Sequence, residues 1–121
     1  MFFQSMLKKL YTIGSLQATD DGFRFQLKNR LLPAKLLGVR RVAVDGRDVP
    51  LDGAELVTGD GRVLRPSDVS PATPLEFDLG ETFDVRLRGA PLAPGPHAIA
   101  IEFSSEPFGP LALDVEDTLA G

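Results

Sequence analysis

The chain has 121 residues, 43% of them apolar, and a formal charge of -4 at pH 7, with an isoelectric point near 4.9. That length suits one domain with its own core, and the acidic balance argues against a nucleic-acid binder, whose phosphate contacts need clustered Lys and Arg. Cysteine is absent, which excludes disulfide frameworks, thiolate metal sites and cysteine nucleophiles and leaves the redox compartment open.

The N-terminus opens Met1-Phe2-Phe3, but Lys8 and Lys9 interrupt its apolar residues. A secretory signal places its positive charge before an uninterrupted apolar run, and no run approaches the roughly 20 residues that span a bilayer. A cytoplasmic protein without a membrane partner is the expectation. Phe3, Met6, Leu7, Leu10 and Tyr11 fit one face of a short helix, while Ser5, Thr12 and Gly14 suit an irregular strand equally well. This apolar segment, residues 1–21, either packs on the chain's own core or serves as an arm against a partner protein.

Asp20-Asp21-Gly22 reads as a turn, and Phe23-Arg24-Phe25-Gln26-Leu27-Lys28 alternates as a half-buried strand does, with Phe23, Phe25 and Leu27 inward. Leu31-Leu32-Pro33-Ala34-Lys35-Leu36-Leu37 does not alternate, and Pro33 removes a ladder donor, so an apolar loop or edge segment is expected there. Residues 39–49 read as a hairpin turning at Asp45-Gly46, because Gly tolerates the positive φ of the favoured tight turns. Further Asp-Gly pairs at Asp52-Gly53 and Asp60-Gly61 set turns around Glu55-Leu56-Val57 and Arg62-Val63-Leu64. Their spacing does not supply the alternate oxygen ligands and closing Glu of an EF-hand calcium loop.

A proline-rich connection over residues 65–74 leads to Leu75-Glu76-Phe77-Asp78-Leu79, which alternates on odd positions. Three more alternations follow, through Phe83/Val85/Leu87, His97/Ile99/Ile101/Phe103 and Leu111/Leu113/Val115, separated by turns too rich in Gly and Pro for a ladder to cross. The pattern predicts about seven or eight short strands in an all-β, antiparallel two-sheet sandwich or a barrel. An α/β core would need crossover helices, and no helical periodicity of that length is present.

Catalytic resources are few. His97 is the only histidine and shares the inward parity of Ile99 and Ile101, where a ring bonded to backbone is the ordinary occupant; as a base it would need a nucleophile and an orienting carboxylate. Asp114 and Glu116 share a strand face with Asp117 following, but alternation makes such pairs inevitable on a solvated face. No catalytic, cofactor-binding or metal-ligating residue is expected in this chain. Arg40, Arg41, Arg47, Arg62 and Arg65 make the middle of the chain locally basic, with Arg86 and Arg88 later; such residues either blunt sheet edges or contact an acidic partner.

Three segments carry a resemblance: Gly22-Phe23-Arg24-Phe25-Gln26-Leu27-Lys28, Val42-Ala43-Val44-Asp45-Gly46-Arg47-Asp48-Val49-Pro50, and Leu92-Ala93-Pro94-Gly95-Pro96-His97-Ala98-Ile99-Ala100-Ile101. Together they resemble the small β subunit of bacterial C-glycoside deglycosidases. The resemblance implies a β-sandwich of Ig-like or jelly-roll-like form that does no chemistry itself. It implies a larger α subunit similar to sugar-phosphate isomerases, a TIM barrel holding a divalent metal, commonly manganese, that cleaves the carbon–carbon bond of 3-oxo-C-glycosides. Leu31 to Leu37 departs from that family's aromatic and basic residues after the first strand. The residues expected to face a partner are Phe3, Leu7, Leu10, Leu32, Leu36, Arg40 and Arg41, with self-association expected when the chain is alone. The alternative is a free-standing carbohydrate-binding or protein-interaction sandwich, although a sugar platform wants exposed aromatics and the chain has no Trp and one Tyr.

Overall fold

The computed structural model describes residues 6–89 and 92–120. Among these residues ten strands run in chain order: β1 (Gln17–Thr19), β2 (Gly22–Lys28), β3 (Ala34–Val44), β4 (Arg47–Asp48), β5 (Glu55–Thr58), β6 (Val63–Leu64), β7 (Leu75–Phe77), β8 (Thr82–Arg88), β9 (Gly95–Glu106) and β10 (Gly109–Leu119). One sheet has the order β1-β2-β8-β5-β6 and the other β10-β9-β3-β4, with β7 also paired to β3. Every pairing is antiparallel. The fold is the two-sheet sandwich, not the barrel.

Alternation builds the core. Phe23, Phe25 and Leu27 of β2 face Leu87, Val85 and Phe83 of β8 in register, and all six are buried. Ile99, Ile101 and Phe103 of β9 pair with Val115, Leu113 and Leu111 of β10, and of these only Val115 is half exposed. Phe77 meets Phe83 edge-on, their ring centroids 4.9 Å apart, an arrangement aromatic quadrupoles favour.

The turn at Asp45-Gly46 has positive φ at both residues, 53° and 82°, as a type I′ hairpin turn requires. At Gly22 the constraint is proximity: an added Cβ would stand 1.9 Å from the Leu87 carbonyl oxygen. Only glycine lets β2 and β8 approach so closely at that end.

Two expectations differ from the structure. The stretch from Ala34 to Leu37 is not a loop or an edge; it begins β3, flanked there by β7 and β9. Register shifts between Leu36 and Gly38 and between Val39 and Arg41 insert extra residues, which erase the period of two that a regular strand displays. Pro33 stands just before the strand and removes nothing from the ladder. Leu79, inward by parity, is 58% exposed, because β7 stops at Phe77 and the turn through Gly80 (φ 87°) lifts it out.

The N-terminal segment forms a 3-10 turn at Lys8–Leu10, then runs along the sandwich, bridging to Leu27 through Tyr11. Leu7, Leu10, Tyr11 and Leu16 all join the core. Among the described residues no helix is long and apolar enough to cross a membrane.

Candidate functional site

The two ends of the sandwich differ in chemistry. At one, the β3–β4 turn meets the start of β9: His97 Nδ1 lies 2.7 Å from Asp45 Oδ2 and its Nε2 lies 2.6 Å from the Ala93 carbonyl oxygen. A carboxylate and a carbonyl only accept, so satisfying both requires a proton on each ring nitrogen, which the imidazolium form supplies. The Ala93 carbonyl and then Asp45 hold its pKa above the ordinary histidine value. Asp45 Oδ1 accepts from the Ala98 amide at 2.9 Å, and that bond, followed by the one from His97, lowers the Asp45 pKa. In that form the ring has no free lone pair and acts as a clamp joining turn and strand rather than as a base.

A second polar centre lies on β10. Asp117 is 5% exposed and accepts from Tyr11 Oη at 2.8 Å, from the Gly14 amide at 2.9 and 3.0 Å, from Leu16 N at 3.2 Å and from Thr118 N at 2.9 Å. Burial opposes its ionisation, but the hydrogen bonds from Tyr11 and the amides outweigh burial and lower its pKa. Burial first, and Asp117 second, push the Tyr11 hydroxyl upward. This carboxylate fastens the N-terminal segment to the last strand. Asp114 and Glu116 point to the opposite, solvated face, so the three neighbouring acids do not converge. Among the described residues no group of His, Asp or Glu is arranged to hold a metal ion.

The other end is apolar. Leu31, Leu32, Phe77, Phe103, Phe108 and Leu111 line a small recess of about 30 Å³, with Leu7 and Leu10 behind it. Asn29, 2% exposed, shapes this end: its Nδ2 donates to the carbonyls of Leu32 at 2.7 Å and Phe77 at 2.6 Å, and its Oδ1 accepts from Leu31 N at 3.0 Å. The Gly80 amide donates to the Asn29 carbonyl at 2.7 Å. One asparagine thereby holds two loops side by side, each presenting a leucine to solvent: Leu32 is 55% and Leu79 58% exposed.

Of the residues expected to face a partner, Leu7, Leu10 and Leu36 are turned into this chain's own core, at 2%, 5% and 2% exposure. Their apolar surface is already part of the buried cluster that includes Phe77, Phe103 and Leu111. Leu32 and Arg40 are exposed, and Arg41 is held at 2.7 Å by Asp48 and at 3.0 Å by Glu102. Phe3 lies outside the described residues. Among the described residues, Leu32 is the apolar member of that set available to a partner, and the structure adds Leu79, which parity had assigned to the core.

These features define a small two-sheet β-sandwich domain, with one end clamped by polar contacts and the other apolar and open. The family model for the N-terminal domain of hydroxymethylglutaryl-CoA reductase matches residues 6–120, and the chain belongs to that family. No curated protein matches the chain. The family match overturns the resemblance to C-glycoside deglycosidase β subunits and the lyase function drawn from it. The segments that suggested it are β2, the β3–β4 hairpin and the approach to β9. Their glycines and alternation serve turns and strand pairing, which many sandwiches share. The metal-bearing α subunit that the resemblance implied loses its basis with it.

Proposed function

We propose that the chain is an accessory domain of a hydroxymethylglutaryl-CoA reductase, acting in the cytoplasm, that packs its apolar end against the reductase's catalytic region. The observation that carries this reading is the pair of exposed leucines, Leu32 and Leu79, held together by Asn29 beside an apolar recess. Contiguous apolar surface of this kind is uncommon on a free monomer. Family membership supplies the class of partner. The hydrogen bonds of His97 and Asp117 stay inside the domain, whereas the other end exposes two large apolar side chains, which supports that end as the docking face.

A standard interface covers about 800 Å² per partner, a modest share of the 6804 Å² that this chain exposes. Leu31 and Phe108 line the recess together with Leu32 and extend the patch. The test is sedimentation of the full chain with a purified reductase catalytic region. A stoichiometric complex that Leu32→Glu/Leu79→Glu weakens at least roughly tenfold supports the reading; absence of a complex, or indifference to the double substitution, overturns it.

A further inference from the structure

The long edge of the second sheet has a defined opening. Four of the strands with a free side, β1, β4, β6 and β7, are two or three residues long, whereas β10 has 11 and, among the described residues, pairs only with β9. Proteins normally blunt such an edge, because its unpaired amides and carbonyls template further strands.

The direction of those groups follows from β9. The Ala98 carbonyl accepts from Asp45 N at 2.8 Å, so even-numbered residues of β9 bond toward β3 and odd-numbered ones toward β10. Their partners Leu111, Leu113 and Val115 bond inward, and the backbone groups of Pro110, Ala112, Asp114, Glu116 and Thr118 point away from the sheet. Both extremes are blunted: Pro110 has no N–H, and the Thr118 N–H donates to Asp117 Oδ1 at 2.9 Å. Between them, the N–H groups of Ala112, Asp114 and Glu116 have no acceptor among the described residues.

Side chains around this window are two-sided. On the solvated face Asp114 and Glu116 stand opposite Ala100 and Ala98, and neither makes an ion pair among the described residues. On the inner face Leu113 is buried and Val115 half-buried at the margin of the core. We propose that the edge from Ala112 to Glu116 is a strand-addition site for an extended segment of a partner protein that alternates basic and apolar residues.

Such a segment pairs antiparallel with the three open rungs. Its apolar side chains lie beside Leu113 and Val115, and its Lys or Arg beside Asp114 and Glu116, so main-chain bonds supply affinity and the alternation supplies specificity. A second copy of this chain is disfavoured as occupant, because it brings its own unpaired Asp114 and Glu116 and a net charge of -4 to the contact. This site is separate from the apolar end and does not depend on the reductase reading.

The test is a titration of the full isotopically labelled chain with a short synthetic peptide alternating lysine and valine, followed by amide chemical shifts. A peptide alternating glutamate and valine is the control. The proposal expects shifts centred on Ala112, Asp114 and Glu116 and at least roughly tenfold tighter binding of the lysine peptide. Asp114→Lys/Glu116→Lys, checked for an unchanged melting temperature, reverses the preference toward the glutamate peptide. Equal binding of both peptides, binding of neither, shifts centred elsewhere, or dimerisation through this edge without peptide would each overturn it.

Discussion

Tyr11 and Asp117 stand 106 positions apart in the chain and meet hydroxyl to carboxylate at 2.8 Å. Through this contact, and the amides of Gly14 and Leu16 beside it, the segment before β1 is fastened to the last strand. The domain is closed on itself by one buried carboxylate.

Replacing Asp117 by Ala leaves the Tyr11 hydroxyl and the Gly14 and Leu16 amides without their acceptor, a loss expected to cost about 3 kcal/mol. Tyr11→Phe removes one bond of the set and should cost about 1 kcal/mol. Urea unfolding of both variants measures the difference. Because the folded pKa of Asp117 is lowered, its contribution is present above the unfolded value near about 3.9 and fades as pH falls through the folded value. Asp117→Asn should flatten that acid limb of the stability curve.

His97 gives the opposite sign. Its folded pKa is raised, so its contribution is complete below the unfolded value of about 6.5 and is lost as pH rises through the folded value. Since the chain has a single histidine, one imidazole resonance followed by NMR reads this directly. The midpoint should lie above about 6.5 and move down in Asp45→Asn. A midpoint below that of a free histidine would contradict the clamp.

Gly22→Ala drives a methyl group into the Leu87 carbonyl oxygen, 1.9 Å from the ideal Cβ position. Backbone at this distance has no flexible tip to yield, so the β2–β8 pairing must separate at Arg88. Thermal unfolding should show a loss on the order of 3 kcal/mol.

Much of the fold was legible because inward positions repeat every two residues: Phe23/Phe25/Leu27, Phe83/Val85/Leu87 and Ile99/Ile101/Phe103 are buried as their parity predicts. Asp45-Gly46 announced its hairpin through the positive φ values that such a pair tolerates. β3 was hidden by its bulges, and Leu79 was misplaced because parity does not say where a strand stops. The inward position of Asp117 was available, since it shares the parity of Leu113, but its partners near residue 14 follow from packing that no local pattern encodes. Leu32 was legible as a partner-facing residue, but its neighbour Leu79 was not, because Asn29 gathers the two from loops that are distant in sequence. The family assignment failed in the sequence reading because the segments used for it encode turns and alternation, which are properties of the fold.

Asn29→Ala removes the bonds to the Leu32 and Phe77 carbonyls and to Leu31 N. The expected cost is about 2 kcal/mol, with faster hydrogen exchange at Leu31 and Gly80 than elsewhere in the sandwich. Binding to a reductase catalytic region should weaken even at temperatures where the variant remains folded, because the two leucines lose their common support.

The most direct test of the docking account is hydrogen exchange on the full chain with and without a purified reductase catalytic region. The account predicts protection concentrated in residues 30–33 and 78–81, with the His97 end unchanged. Protection centred on the His97 end, or no protection anywhere, would contradict it.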